Sequence, residues 1–212
     1  MKLIGYFRSS AAYRVRIALN LKGLTAEHDS VHLASGEQKE PAFAALNPQK
    51  LVPVLEDGRD RLFQSMAILE YLEETHPEPP LLPAEPAARA RVRALAQIVA
   101  CEIHPLNNLR VLGYLTGELE ITEEARLAWY RHWIAEGLGA LETILATSPD
   151  TGRFCHGDAP GLADVCLVPQ LFNARRFDCP LSDYPNLLRI DAECGSLPAF
   201  REAAPELQQD AE

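Results

Sequence analysis

The sequence predicts an α/β domain over residues 1–80 followed by an all-α domain over residues 87–212. Three observations carry this. The first part alternates short β-branched or aromatic runs with amphipathic stretches. Residues 77–86, PEPPLLPAEP, hold five prolines in ten positions, which removes backbone donors and fixes φ, so the segment is a semi-rigid linker. Beyond it, apolar residues recur at helical spacing.

The elements follow in order. Residues 2–7 read as a strand by their aromatic and β-branched content. From Arg14 to Leu21 polar and apolar residues alternate as in a half-buried strand, yet Ala11, Val15, Ala18 and Leu19 also share one helical face. Ser9 or Ser10 as an N-cap, Lys22 in the last turn and Gly23 as a terminator decide for helix. A second strand is predicted at residues 26–33, then a loop and short helix ending at Asn47-Pro48. Residues 51–55 form a short apolar run containing Pro53; the strand is at an edge or begins at the proline. Glu56-Asp57-Gly58 and a strand at 61–64 make a hairpin. Ser65 then caps a helix with Met66, Leu69 and Leu72 on one face, ending near His76. The predicted order is β-α-β-α-β-β-α.

Past the linker, Val92, Leu95, Ala96 and Val99 keep helical period, and Pro105 kinks or ends that helix near His104. Trp129, Trp133, Ala140, Leu141 and Ile144 mark a second long helix. Residues 162–172 are apolar nearly all round, as a buried helix is. Residues 185–200 supply one or two short helices, and the Gln-rich acidic end reads as a loose tail. The two tryptophans and Cys101 are expected in the core.

Composition narrows the function. With 212 residues, 47% of them apolar, the chain can bury a substantial core. A formal charge of −10 and a pI near 5.1 argue against a general nucleic-acid or anionic-membrane role, which needs a basic footprint. No basic-then-apolar leader opens the sequence and no run approaches the ~18 apolar residues of a membrane span. A soluble cytoplasmic protein is expected. The five cysteines are scattered without metal spacing, and no H-E-x-x-H, P-loop, G-x-G-x-x-G or G-x-S-x-G occurs. No metal is expected.

The chemistry concentrates at the start of the first helix. Backbone N–H groups and two hydroxyls at a helix N-terminus form a ready anion site, and Arg8 precedes it. Residues 9–19, SSAAYRVRIAL, resemble the S-S-x-S-x-R-V-R-I-A-L motif of zeta-class glutathione transferases. Val52-Pro53 matches that family's valine before a cis-proline, and Gln64-Ser65 its recognition pair for the γ-glutamyl end of glutathione. His104-Pro105-Leu106-Asn107-Asn108, residues 158–164 and residues 173–177, NARRF, extend the similarity along the chain. Ala11 and Ala12 stand where the pattern usually has Cys and Ser, so Ser9 and Ser10 must suffice.

The resemblance implies a thioredoxin-like N-terminal domain, an all-helical second domain and a homodimer. It further implies a glutathione-dependent cis–trans isomerase of a maleyl diketo acid, maleylacetoacetate first and maleylpyruvate as the alternative. Glutathione would add to the alkene, allow rotation and be expelled, so it acts as cofactor, and the substrate is a small dicarboxylate. Ser9, Ser10, Arg8 and Arg176 are the implied catalytic residues. Ser9, Ser10, Gln49, Val52, Pro53, Gln64, Ser65, His104 and Asn108 are those implied to hold glutathione. Two other classes compete: a detoxifying transferase that consumes glutathione, and a non-catalytic binding module on the same fold.

Each residue also has a plainer reading. Ser9 and Ser10 are sufficient as helix caps, Gln64 and Ser65 as a strand end and cap, and Arg8 and Arg176 as solvated surface arginines. Tyr6 competes for the thiol, since other transferase classes use an early tyrosine. Arg14 and Arg16 read as structural or surface charges of the first helix, and His104 and Asn108, four apart, as polar or core positions of a helix.

Overall fold

The computed structural model describes residues 1–212. Residues 1–81 and 195–212 form one compact unit and residues 82–194 another.

The first unit holds a four-stranded mixed sheet. Its strands are β1 (Lys2–Gly5), β2 (Glu27–Ser30), β3 (Val54–Asp57) and β4 (Asp60–Phe63), in the order β2-β1-β3-β4. β1 and β2 are parallel, with Lys2 opposite Glu27; β1/β3 and β3/β4 are antiparallel, with Ile4 opposite Val54 and Asp57 opposite Asp60. Helices α1 (Ser10–Leu21), α2 (Pro41–Leu46) and α3 (Ser65–Thr75) complete the predicted order. Ile4, Tyr6, Phe7, Val31, Phe43, Val52 and Val54 pack into one buried cluster.

Several boundaries differ from the sequence reading for physical reasons. β2 spans only four residues, all exposed, because EHDS is a polar edge strand and its apolar follower Val31 turns into the core. β3 is interior, so the edge reading of residues 51–55 is wrong; the strand starts just past the cis Val52-Pro53 bond, which keeps the proline out of the ladder. The hairpin loop is Gly58-Arg59, one position later than expected, with Gly58 at φ +59° as a tight right-twisted hairpin requires. Ser65 is not a cap: it is the first residue of α3, and the cap position falls to Gln64.

Helix α1 ends as Gly23 predicts. Gly23 at φ +65° donates to the Asn20 carbonyl and Leu24 to the Leu19 carbonyl, so the last carbonyls are satisfied. Lys22 at the cap is buried; its ammonium donates to the Glu73 carboxylate (2.8 Å) and to the carbonyls of His76 (2.7 Å) and Pro79 (3.0 Å). Glu73 also accepts the Leu81 N–H at 2.9 Å. One paired, fully hydrogen-bonded charge thus ties α1, the end of α3 and the start of the proline segment together.

The C-terminal stretch is not a loose tail, and residues 195–212 cluster with residues 1–81. α1 supplies the donors that recruit it: Asn20 to Ala199 O (3.0 Å) and Arg16 Nε to Ala203 O (3.0 Å). The Phe7 N–H donates to Asp210 Oδ2 at 3.0 Å. Short helix α9 (Pro198–Arg201) lies in this stretch.

The second unit is helical. α4 (Pro86–Gln97) opens on a proline at its first turn, widens into a π-helical segment at Ile98–Ile103 and ends in a 3-10 turn at His104–Asn107, where Pro105 stops it. α5 (Leu109–Gly117), α6 (Glu123–Thr147), α7 (Leu162–Arg176) and α8 (Pro185–Gly195) follow, the last residue of α8 falling in the first unit. α6 buries Tyr130, Ile134, Leu138, Leu141 and Leu145. The expected face was rotated: of its five markers only Leu141 is buried, Trp129 and Trp133 are half-buried, and Ile144 is exposed, as is Cys101. Trp129 faces outward enough to donate its indole N–H to the Leu106 carbonyl at 2.9 Å. α7 is buried throughout residues 162–171 as predicted. Asp164 at its third position accepts the Gly161 N–H (2.8 Å) and the Cys155 N–H (2.9 Å). Burial pushes this carboxyl upward while the two donors pull it back.

Candidate active site

The site is built first on Ser9. It caps α1 from extended backbone (φ −69°, ψ 115°), and its Oγ accepts the Ala12 N–H at 3.2 Å. One lone pair is thereby used and the hydroxyl hydrogen is left to donate. The Ser9 N–H itself donates to the Tyr6 carbonyl at 2.9 Å, which fixes the turn between strand and helix. Ser10 is the first helical residue and is buried.

Arg8 lies within this turn. Its Nη2 donates to the Tyr6 hydroxyl at 2.8 Å and stands 3.6 Å from a Glu212 carboxylate oxygen. The guanidinium carbon sits 4.7 Å from the Phe7 ring centroid. Arg8 is therefore a held side chain and not a freely solvated one.

A second cluster surrounds the start of α3. Gln64 adopts φ 70° and ψ 112°, a left-handed conformation that costs a non-glycine residue about 1–3 kcal/mol. Its amide donates to Gln49 Oε1 at 2.8 Å. Ser65 Oγ accepts from Arg14 Nη1 at 3.2 Å. Arg14 is only 2% exposed. Neither backbone group of Val52, beside the cis Pro53, is hydrogen-bonded within the chain, and the Ser65 N–H has no acceptor there either. A backbone edge, a helix N-terminus with a free N–H and two serine hydroxyls form a set of polar groups able to hold an anionic ligand.

The structure brings these first-unit residues together through three links. Tyr6 and Phe7 pack with Val52 in the buried cluster; Gln64 binds Gln49; Arg14 of α1 binds Ser65 of α3. His104, Asn108 and Arg176 belong to the second unit. His104 opens the 3-10 turn, while Asn108 caps α5 with its Oδ1 on the Arg110 N–H (3.1 Å), so they do not share one helix face. Arg176 ends α7, exposed, with its guanidinium carbon 5.2 Å from the Phe177 ring. Its neighbour Arg175 is engaged by Asp191 at 2.6 Å.

The sequence left Arg14 and Arg16 as structural or surface charges; both are buried, which settles for the structural reading. The missed signal is chemical: an arginine on the apolar side of a helix needs an acceptor, and Ser65 and the Ala203 carbonyl are those acceptors. Burial pulls the Arg16 guanidinium down to about 10, still charged at neutral pH. A cavity of about 460 Å³ borders the turn before α1, lined by Tyr6, Phe7 and Ala12 and, beyond them, by Arg16, Asp29, Glu202 and Asp210. Its carboxylates make it a poor host for an anion. No group of three or more His, Cys, Asp or Glu is arranged to hold a metal ion, and no helix is long and apolar enough to cross a membrane.

The chain is similar along nearly its whole length to known proteins. Residues 1–74 match the glutathione S-transferase N-terminal domain and residues 125–190 the glutathione S-transferase C-terminal domain. A probable maleylacetoacetate isomerase of Vibrio cholerae is 53% identical over 211 residues, covering 99% of this chain and 97% of that protein. The holo structure of a maleyl pyruvate isomerase, a bacterial glutathione S-transferase in the zeta class, superposes with a TM-score of 0.98 at 51% identity, covering both chains fully. A maleylacetoacetate isomerase from Methylobacterium extorquens AM1, with bound malonate and glutathione, gives a TM-score of 0.98 at 46% identity, again with full coverage of both. The chain belongs to the glutathione transferases, with the thioredoxin-like first domain and helical second domain of that fold, and within them to the zeta class of maleylacetoacetate and maleylpyruvate isomerases.

Proposed function

We propose that the chain is a glutathione-dependent cis–trans isomerase of a maleyl diketo acid, converting maleylacetoacetate to fumarylacetoacetate. The observation that carries this is Ser9, a hydroxyl at the N-terminus of α1 whose acceptor side is taken by the backbone and whose hydrogen is free for a thiolate. Maleylpyruvate is the second reading, since a relative of that activity is equally close.

Bound to this site, glutathione supplies a thiolate that adds reversibly to the cis alkene, so that rotation takes place about a single bond. The chain must make that thiolate available. An ordinary thiol near ~8.5 needs about two units of depression, roughly 2.7 kcal/mol, to be mostly ionised at neutral pH. A helix N-terminus contributes roughly 0.3–1 kcal/mol, up to about 2 when partly buried. The dipole alone falls short. A hydroxyl donated to a charged acceptor adds about 1.5–3 kcal/mol, and Ser9 on α1 combines the two.

Gln64 and Ser65 at α3 then take the γ-glutamyl carboxylate, the Val52 backbone pairs with the cysteinyl unit, and Gln49 stands at the glycyl end. Arg8 and Arg176 are the arginines we assign to substrate carboxylates, since a guanidinium fork fits a carboxylate better than an ammonium does. No carboxylate pairs with Arg176, which supports its assignment. His104 and Asn108 are assigned to glutathione on the family resemblance. We further infer a homodimer from the family and cytoplasmic residence, with which the five free thiols accord.

Steady-state rates with both acids, with and without glutathione, test the reading. Turnover is expected to require glutathione and to leave the free-thiol concentration unchanged after many cycles. Stoichiometric loss of thiol would reassign the chain to conjugating transferase chemistry.

A further inference from the structure

We infer that Tyr6 is a positioning residue that holds the Arg8 fork ready for a substrate carboxylate; this rests on the assignment of Arg8 given above. Tyr6 is 5% exposed, and its ring is wedged edge-on between Phe7 (centroids 4.7 Å apart) and His32 (5.3 Å). The position of its hydroxyl is therefore set by packing. That hydroxyl accepts from Arg8 Nη2 at 2.8 Å, within the range of a charge-assisted bond. The face of Phe7 supports the same guanidinium from another side.

An arginine with a third of its side chain exposed would otherwise sample many rotamers and lose that freedom on binding an anion. Here the loss is already incurred in the free protein. A carboxylate already stands against the held fork, for Glu212 lies 3.6 Å from the nitrogen that Tyr6 engages, and its other oxygen contacts His32. An external carboxylate meeting Arg8 finds the guanidinium in a fixed orientation and displaces Glu212, whose own side chain is exposed. We assign the Tyr6 hydroxyl to Arg8, and Ser9 keeps the thiolate role.

Tyr6→Phe preserves the ring and removes only the acceptor, so the fold is retained. Steady-state kinetics with the maleyl acid, thiolate absorbance against pH on the glutathione complex, and calorimetric glutathione binding are compared for Tyr6→Phe, Arg8→Ala and the double variant. Tyr6→Phe is expected to raise KM about tenfold or more, the range of one hydrogen bond to a charged group, with the thiolate titration and glutathione affinity unchanged. On the Arg8→Ala background the same change is expected to be silent. A shifted thiolate titration in Tyr6→Phe, an undiminished effect in the double variant, or an unchanged KM while Arg8→Ala raises it would each overturn the positioning role. Wild-type kinetics in Arg8→Ala would instead remove the Arg8 assignment, and this inference with it.

Discussion

At the start of α1, Ser9 stands outside the helix as its cap and spends one lone pair on the Ala12 N–H; at the start of α3, Ser65 stands inside the helix and spends one on the Arg14 guanidinium. In the first case the hydroxyl is braced by the backbone and reinforced by the helix dipole. In the second it is braced by a buried charge, and the cap position is given to Gln64, whose side chain caps nothing and turns to Gln49. The two arrangements suit different anions. A soft thiolate that must come and go during turnover is served by a modest field and one directional donor. A carboxylate held throughout the cycle is served by a full charge behind its hydroxyl.

The largest effect should fall on α1. Ser9→Ala removes the donor to the thiolate, and loss of one such donor typically costs about 10²–10³ in turnover. The bound thiol should titrate at higher pH, seen by thiolate absorbance, while stability falls by only about 1 kcal/mol for the lost cap. A large loss of stability with an unchanged titration would mean that Ser9 is a cap and nothing more.

The next effect separates the two helix starts. Ser65→Ala, or Arg14→Met, which keeps the volume but removes the charge, should weaken glutathione binding about tenfold or more, as loss of one hydrogen bond to a charged group does. The thiolate titration at saturating glutathione should not move. Calorimetry and absorbance on the same samples check both. If Ser65→Ala shifted the titration as Ser9→Ala does, the two termini would be acting as one site and the contrast would fail.

Much of this was legible in the sequence because the signals are local. The proline segment, Gly23 and the Gly58 turn are set by backbone geometry within a few residues, so the order of elements in the first unit could be read directly. Ser9 as a cap was readable for the same reason. The missed features depend on distant partners. Arg14 and Arg16 count as polar in any periodicity argument, and their burial follows from Ser65 and Ala203, far along the chain. The C-terminal stretch reads as polar and loose because its partners, Asn20, Arg16 and the Phe7 N–H, are nearly two hundred residues away. Ser65 was taken for a cap because nothing in the sequence announces that Gln64 adopts a left-handed backbone. The face of α6 was misassigned because large aromatics dominate a hydrophobic pattern even when, like Trp129, they are only half-buried and give their indole N–H to a carbonyl of the neighbouring turn.

The smallest expected effect sharpens the comparison within α1 itself. Ser10 neighbours Ser9 and is equally available to a motif, but it is already helical and buried, so it neither caps the helix nor shares the extended backbone of Ser9. Alanine is the better helix former at such a position by a few tenths of a kcal/mol, which offsets part of whatever its hydroxyl contributes. Ser10→Ala should therefore leave the thiolate titration close to wild type and lower turnover by no more than about threefold, well under ~1 kcal/mol of barrier. Adding Ser10→Ala to Ser9→Ala should change little beyond Ser9→Ala alone, because the thiolate has one hydroxyl donor and not two. Absorbance titrations and steady-state rates of the two single variants and the double variant measure this. A titration that moves more in Ser10→Ala than in Ser9→Ala would exchange the roles of the two serines and leave Ser9 as the cap that holds the true donor in place.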